Sequence, residues 1–357
     1  MKSILSIDGG GIRGILPLKV LEYIEEHTGK QIHELFHVIG GTSTGGIIAL
    51  GLNSKIPGNE TIYKAQELLK FYTTQEDVKR IFKHKGIWQP GNEEDIDKDS
   101  TTEETRKADE LLGRPGRIEP FYESHSIEKF LQEKFGSDTK MSELQPKPDV
   151  SVFSYDIQND GPYYFNSKKA SKNPQDDYYV WQAARATSAA PTFFPAAKFS
   201  SEPNLSLFVD GGVYINNPAL ALLIQAKDLY PDEQNFLLVS LGTGNLKVSR
   251  PQLENAGAYG WLLNITHPGA LLEVMMNGVS EATHHQLQEL VSGNLNSGLK
   301  IPSLNRYERY QQEMQENIAM DDIKPKTLTK LVNLGVALVN EKKNELNELC
   351  EVLAKIK

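Results

Sequence analysis

Short apolar runs alternate with stretches of helical periodicity from the first residues of this chain. Ser3-Ile4-Leu5-Ser6-Ile7 reads as a buried strand, and Ile15, Leu18, Val20, Leu21 and Ile24 recur behind it at helical spacing. Pro17 stands in the first turn of that helix, where a missing N–H does no harm, and Thr28-Gly29 ends it. A second strand, Leu35 to Ile39, leads into Gly40-Gly41-Thr42-Ser43-Thr44-Gly45-Gly46 and then into a further apolar run. This β-α-β-α opening predicts an α/β fold, with a parallel sheet covered by helices.

Downstream, the pattern predicts helices over 60–72, 126–135, 178–190 and 219–229. Strands are predicted over 149–155, 163–165, 205–209 and 236–241. Everything after 245 reads as helical: 268 to about 291, 307–314 and 327–355. No repeat or Pro/Gly-rich linker divides the chain. The expectation is a catalytic-type α/β domain over 1–245 with a helical C-terminal extension, 246–357, packed on it. Residues 74–118 break the rhythm. They hold the basic cluster Lys79, Arg80, Lys83, His84 and Lys85, then an acidic run, 92–99, with few apolar residues. They read as a charged surface insertion and a candidate lid.

Composition narrows the function classes. A formal net charge of −9 over 357 residues argues against a nucleic-acid binder acting through overall charge, so no nucleic-acid polymer is an expected partner. The single cysteine, Cys350, excludes a disulfide framework or a thiolate metal cluster within one chain. No run approaches the ~20 apolar residues that span a bilayer. The N-terminus enters a strand directly rather than a signal peptide. A cytoplasmic, soluble protein is expected, with any membrane contact peripheral.

The candidate chemistry lies at strand ends. Gly41-Thr42-Ser43-Thr44-Gly45 fits G-x-S-x-G, a sharp strand-to-helix turn that exposes one serine hydroxyl. The helix start behind Ser43 offers N–H groups and a partial positive charge to a developing anion. Asp8-Gly9-Gly10-Gly11-Ile12-Arg13-Gly14 follows the first strand. In a parallel sheet, that turn falls beside Ser43 and can aim three glycine amides, Gly9, Gly10 and Gly11, at one oxygen. Asp210, followed by Gly211-Gly212, closes another apolar strand. Burial would raise its pKa toward that of a useful base.

Other readings of these residues stay open. Gly9 to Gly14 also fits the dinucleotide fingerprint G-x-G-x-x-G, but the second strand ends in Gly40-Gly41 where that site wants an acid. A phosphate-binding P-loop fails, because no G-K-[ST] follows. A Ser-His-Asp hydrolase could take Ser43, Asp210 and one of His267, His284 or His285, although that fold sets several strands before its serine. A binding protein that keeps the fold without the chemistry is the non-enzymatic alternative.

The segments 8–14, 41–45 and 210–212, with Ala184-Arg185-Ala186-Thr187-Ser188-Ala189-Ala190-Pro191 before the last, resemble in order and spacing those of the patatin-like phospholipase family. The resemblance implies a three-layer α/β/α fold with a mostly parallel central sheet, and lipid acyl hydrolysis without a metal or cofactor. It implies a Ser43–Asp210 dyad, with Gly9, Gly10 and Gly11 as the oxyanion hole. Asp8, Arg13, Gly14, Gly41, Gly45, Gly211 and Gly212 support the motifs. Gly212 departs from the alanine common in the family. Membrane phospholipids are the implied substrates, with peripheral membrane association when active. Some bacterial members of this size are switched on by a cyclic nucleotide in anti-phage defence. The 79–85 cluster is the candidate for such an activator, and the C-terminal helices are the candidate for a sensor or a homo-oligomer surface.

Overall fold

A computed structural model describes residues 1–84, 120–201, 204–246, 254, 270–292 and 304–356. The strands are β1 (Lys2–Ile7), β2 (Val38–Thr42), β3 (Asp149–Asp156), β4 (Gly161–Asn166), β5 (Ala197–Ser201), β6 (Asn204–Asp210), β7 (Phe236–Leu241), β8 (Asn245–Leu246), β9 (Leu304–Tyr310) and β10 (Glu313–Met314). The main sheet runs β5-β6-β3-β2-β1-β7-β9, with β4 also paired to β3. β2, β1, β7 and β9 are parallel to their neighbours and to β3, whereas β4, β5 and β6 pair antiparallel.

Alternation along the strands sends side chains to two separate apolar layers. From β1, Ile4 joins Val38, Leu222 and Leu238 on one face. Leu5 and Ile7 join Ile39, Val239 and the helices α1 (Ile15–Thr28) and α3 (Thr44–Gly51) on the other. Helices cover both faces, and the C-terminal part is largely helical. Helices Pro325–Glu341 and Lys343–Lys355 lie against α1, where Tyr23 donates to Asn347 Oδ1 at 2.6 Å. No helix among the described residues is long and apolar enough to cross a membrane.

Several expectations need correction. The second strand begins at Val38, because α2 (Ile32–Leu35) is a short helix capped reciprocally by Gln31 and Glu34. The helix expected over 60–72 starts at Ala65, behind a bridge between Lys55 and Ile62. Part of the expected charged insertion is ordered: Gln75–Ile81 is a helix whose Val78 and Ile81 are buried. The rest of that insertion, 85–118, lies outside the described residues. The largest correction concerns 307–314, expected to be helical. Leu304–Tyr310 is a strand, parallel to β7 and in register from Leu237↔Arg306 to Leu241↔Tyr310. β7 is buried throughout and apolar apart from Ser240, and it needs a hydrogen-bonded neighbour on its open edge; β9 supplies it.

Candidate active site

At the end of β2 the chain turns at Ser43 and enters α3. Ser43 has φ 56° and ψ −126°, a backbone state that an L-residue holds at a cost of about 1–3 kcal/mol. The turn can be this tight because α3 crosses directly over the end of β1. A Cβ on Gly45 would stand 2.2 Å from the carbonyl oxygen of Ile7. The Ser43 amide donates to Thr187 Oγ1 at 2.9 Å, and the Thr187 hydroxyl donates to the Phe153 carbonyl at 2.6 Å.

Asp210 reaches Ser43 by a route different from the one expected. β6 is antiparallel to β3, so Asp210 does not share the rim of a parallel set. Phe153 pairs with Thr42 on one edge and with Tyr164 of β4 on the other. Ser154 pairs with Tyr163 of β4 and with Asp210. β4 keeps to one edge, so β2 and β6 share the opposite edge of β3 and meet head-on. β2 ends opposite Phe153 and β6 ends opposite Ser154. The serine and the carboxylate meet across that gap.

Asp210 is 2% exposed. Its Oδ1 accepts the Gly212 amide at 2.7 Å. Its Oδ2 is buried with no hydrogen-bond partner among the described residues. Burial pushes the carboxyl up to about 7, against the Ser43 hydroxyl and the Gly212 amide, both of which favour the charged form. The serine hydroxyl therefore lies within electrostatic reach of the carboxylate but outside normal hydrogen-bond geometry. Contacts of this kind are often long in a site without substrate.

The glycine turn adjoins the serine: a Cβ on Gly9 would stand 3.1 Å from that of Ser43. Its three amides are not equivalent. Gly9 N–H donates to the Asn216 carbonyl at 3.1 Å, so that amide is already engaged. The amides of Gly10 and Gly11 donate to no acceptor among the described residues. Gly11 holds φ +58°, and a Cβ there would meet the Met320 carbonyl oxygen at 2.2 Å. Asp8 and Arg13 are engaged elsewhere and do not line the groove. Asp8 is held by Arg309 at 2.6 Å, and Arg13 is buried with its Nε 3.4 Å from the Gly10 carbonyl.

Ser43, Asp210 and Gly11 open onto one groove. Its walls are almost wholly apolar, with Phe71, Phe82, Phe130, Phe193 and Phe194 prominent. A family model of patatin-like phospholipases matches residues 5–223, a stretch that takes in the glycine turn, Ser43 and Asp210. The chain belongs to the patatin-like phospholipase family.

Relatives within and beyond plants share the likeness. Patatin-like protein 2 of Arabidopsis thaliana is 32% identical over 292 residues, covering 74% of this chain and 65% of its own. Patatin-like protein 2 of Oryza sativa subsp. indica is 26% identical over 96% of this chain and 84% of its own. The calcium-independent phospholipase A2-gamma of Rattus norvegicus is 27% identical over 99% of this chain, which spans 40% of that longer protein. Among solved structures, VipD from Legionella pneumophila aligns over 97% of this chain and 66% of its own, at 13% identity and a TM-score of 0.41, and nothing further rests on it.

As a patatin-like phospholipase the protein is a lipid acyl hydrolase. Histidines do not join the serine among the described residues. His284 Nδ1 lies 2.9 Å from the Tyr307 hydroxyl, His285 is exposed, and neither lines the groove. His267 lies outside the described residues. No group of three or more acidic, histidine or cysteine side chains among the described residues could hold a metal ion. The basic cluster is partly neutralised: Arg80 pairs with Glu133 at 2.6 Å, Lys83 with Glu123 at 2.7 Å, and the His84 ring packs on Tyr122, while Lys79 is exposed. Lys85 lies outside the described residues.

Sequence reasoning missed Thr187, Asn216, Thr243, Arg309 and Met320. Thr187 lies in a segment marked by the family resemblance, but a lone threonine in a helix of small residues gives no sign of what it bonds. Arg309 and Met320 are more than 260 residues from the turn they touch.

Proposed function

We propose that Ser43 and Asp210 form a catalytic dyad that hydrolyses ester bonds of membrane phospholipids through an acyl-enzyme. The supporting observation is a buried carboxylate, raised to about 7, that lines the same apolar groove as Ser43 and keeps one oxygen without a hydrogen-bond partner among the described residues. A base of that strength is ionised in a useful fraction near neutrality and can still accept a proton. The acyl chain occupies the aromatic groove, which sets its ester carbonyl at Ser43. Asp210 Oδ2 takes the hydroxyl proton as Ser43 Oγ bonds to the carbonyl carbon. The carbonyl oxygen becomes an oxyanion, met by the Gly10 and Gly11 amides and by the N-terminus of α3. The tetrahedral species collapses, the alcohol leaves with the proton held by Asp210, and Ser43 keeps the acyl group. Water, deprotonated by Asp210, then releases the fatty acid and restores the serine.

Lipid analysis after incubation with mixed phospholipids tests this reading. Wild type is expected to release fatty acids, and Ser43→Ala and Asp210→Asn are expected not to. A fluorophosphonate probe is expected to label Ser43 alone. An Asp210→Asn enzyme with undiminished turnover would transfer the role of base to another group. Control by a cyclic nucleotide has no comparable support: of the cations expected to meet phosphate, Arg80 and Lys83 are engaged with Glu133 and Glu123.

A further inference from the structure

The glycine turn is held in place by parts of the chain that lie outside the stretch matched by the family model, 5–223. Arg309, on β9, sits in register with Ser240 of β7, and Ser240 with Ser6 of β1. Its guanidinium therefore extends over β7 along one face toward the end of β1. Nη2 donates to Asp8 Oδ2 at 2.6 Å, and Nη1 donates to Asp8 Oδ1 at 3.2 Å and to Ser240 Oγ at 2.7 Å. Asp8 immediately precedes the three glycines. On the far side of the turn, Ile12 N–H donates to the Met320 carbonyl at 2.8 Å. Between these anchors, Gly9 is fixed at both ends: its amide by Asn216, and its carbonyl by Thr243 Oγ1 at 2.6 Å.

We propose that Arg309 is a positioning residue for the oxyanion site: its two-pronged contact with Asp8 sets the direction of the Gly10 and Gly11 amides. This rests on the assignment of those two amides as oxyanion donors. Stability alone is a poor reason for the arrangement. Arg309 and Asp8 are 3% and 2% exposed, and a fully buried ion pair is seldom more stable than a well-packed apolar pair of the same volume. What a planar guanidinium adds is geometry. Two parallel bonds fix the plane of the carboxylate, which lysine's single charge cannot do. Donors aimed at an oxyanion lose most of their effect when they shift by about an ångström, a misplacement that can cost about 100-fold in rate.

The test compares wild type with Arg309→Lys, Arg309→Gln and the double variant Asp8→Asn/Arg309→Gln. The double variant removes both charges together and so avoids a lone buried carboxylate. The readouts are kcat and KM on a soluble fluorogenic ester, the thermal midpoint, and hydrogen exchange of the bonded amides of Asp8, Gly9 and Ile12. The double variant is expected to melt within a few degrees of wild type, yet to lose roughly 10- to 100-fold in kcat with KM within about threefold. Exchange over 8–12 is expected to accelerate while the other strands keep their protection. A double variant with wild-type kcat and wild-type exchange over 8–12 would overturn the proposal. If wild type shows no more ester hydrolysis than Ser43→Ala, the catalytic reading fails by itself, and the exchange result still decides whether Arg309 fixes the turn.

Discussion

Thr187 donates its hydroxyl to the Phe153 carbonyl at 2.6 Å and accepts the Ser43 amide at 2.9 Å. One side chain thus fills the gap where β2 and β6 meet head-on along β3. It satisfies a strand carbonyl left bare by the change of partner and tethers the strained turn at Ser43. Thr187→Val keeps the shape and removes both bonds, leaving two buried backbone groups unpaired. It is expected to destabilise the protein by about 2–4 kcal/mol in urea unfolding. It is also expected to lower kcat by roughly tenfold or more, whereas Thr187→Ser keeps most of both.

With Asp210 as the base of the proposed dyad, the pH dependence of activity follows from this one group. The base works only when ionised, and burial holds its pKa at about 7. The ratio kcat/KM is therefore expected to rise tenfold per pH unit on the acid side and to level off above about 7. A plateau that begins near pH 4 would mean that the working carboxylate is solvated and is not Asp210.

Stability carries the same group with the opposite sense. The folded-state pKa lies above the unfolded value of ~3.9. Its contribution to stability is complete below pH ~3.9 and is lost as pH rises through about 7, where a fully buried charge must be held. Asparagine has no such charge. Asp210→Asn is thus expected to match wild type in thermal midpoint near pH 4 and to exceed it by a margin that grows up to pH 8. An equal margin at both pH values would count against the raised pKa.

Ser43 pits its backbone against its chemistry. Glycine adopts φ 56° freely, whereas serine and alanine do not. Ser43→Gly and Ser43→Ala are both expected to be inactive, and Ser43→Gly is expected to be the more stable by about 1 kcal/mol in denaturant unfolding. Equal stabilities would show that the turn is not strained.

Ala190 lines the groove beside Phe193 and Phe194. Ala190→Phe narrows the groove proposed to take the acyl chain and leaves Ser43 and Asp210 unchanged. Hydrolysis of long-chain esters is expected to fall by about tenfold or more while short-chain esters stay within about threefold, measured as kcat/KM on a chain-length series. An equal loss on both would place the acyl chain elsewhere.

Much of the fold was legible in the sequence, and unevenly so. Strands buried on both faces, such as Phe236–Leu241, announce themselves as apolar runs, and Ala219–Leu229 by its helical period. Tyr307 to Met314 did not. Its mixture of aromatic and charged residues suits a helix as well as a strand, and only the open edge of β7 decides between them. The candidate site divides in the same way. Ser43 and the glycines were visible because a sharp turn and a close backbone approach restrict which residues can stand there.

The sequence by itself therefore determined the local geometries: where a strand must bend, where a helix can pass without a Cβ, and which strand ends carry a hydroxyl or a carboxylate. These are short-range steric facts written in residue type. Only the tertiary structure decided that Asp210 arrives antiparallel and end-on, that Gly9's amide is spent on Asn216, and that Arg309 reaches across β7 to Asp8. Those outcomes depend on which strand edges pair and on what burial removes from water. Both are properties of the assembled sheet, and no local window of sequence contains them.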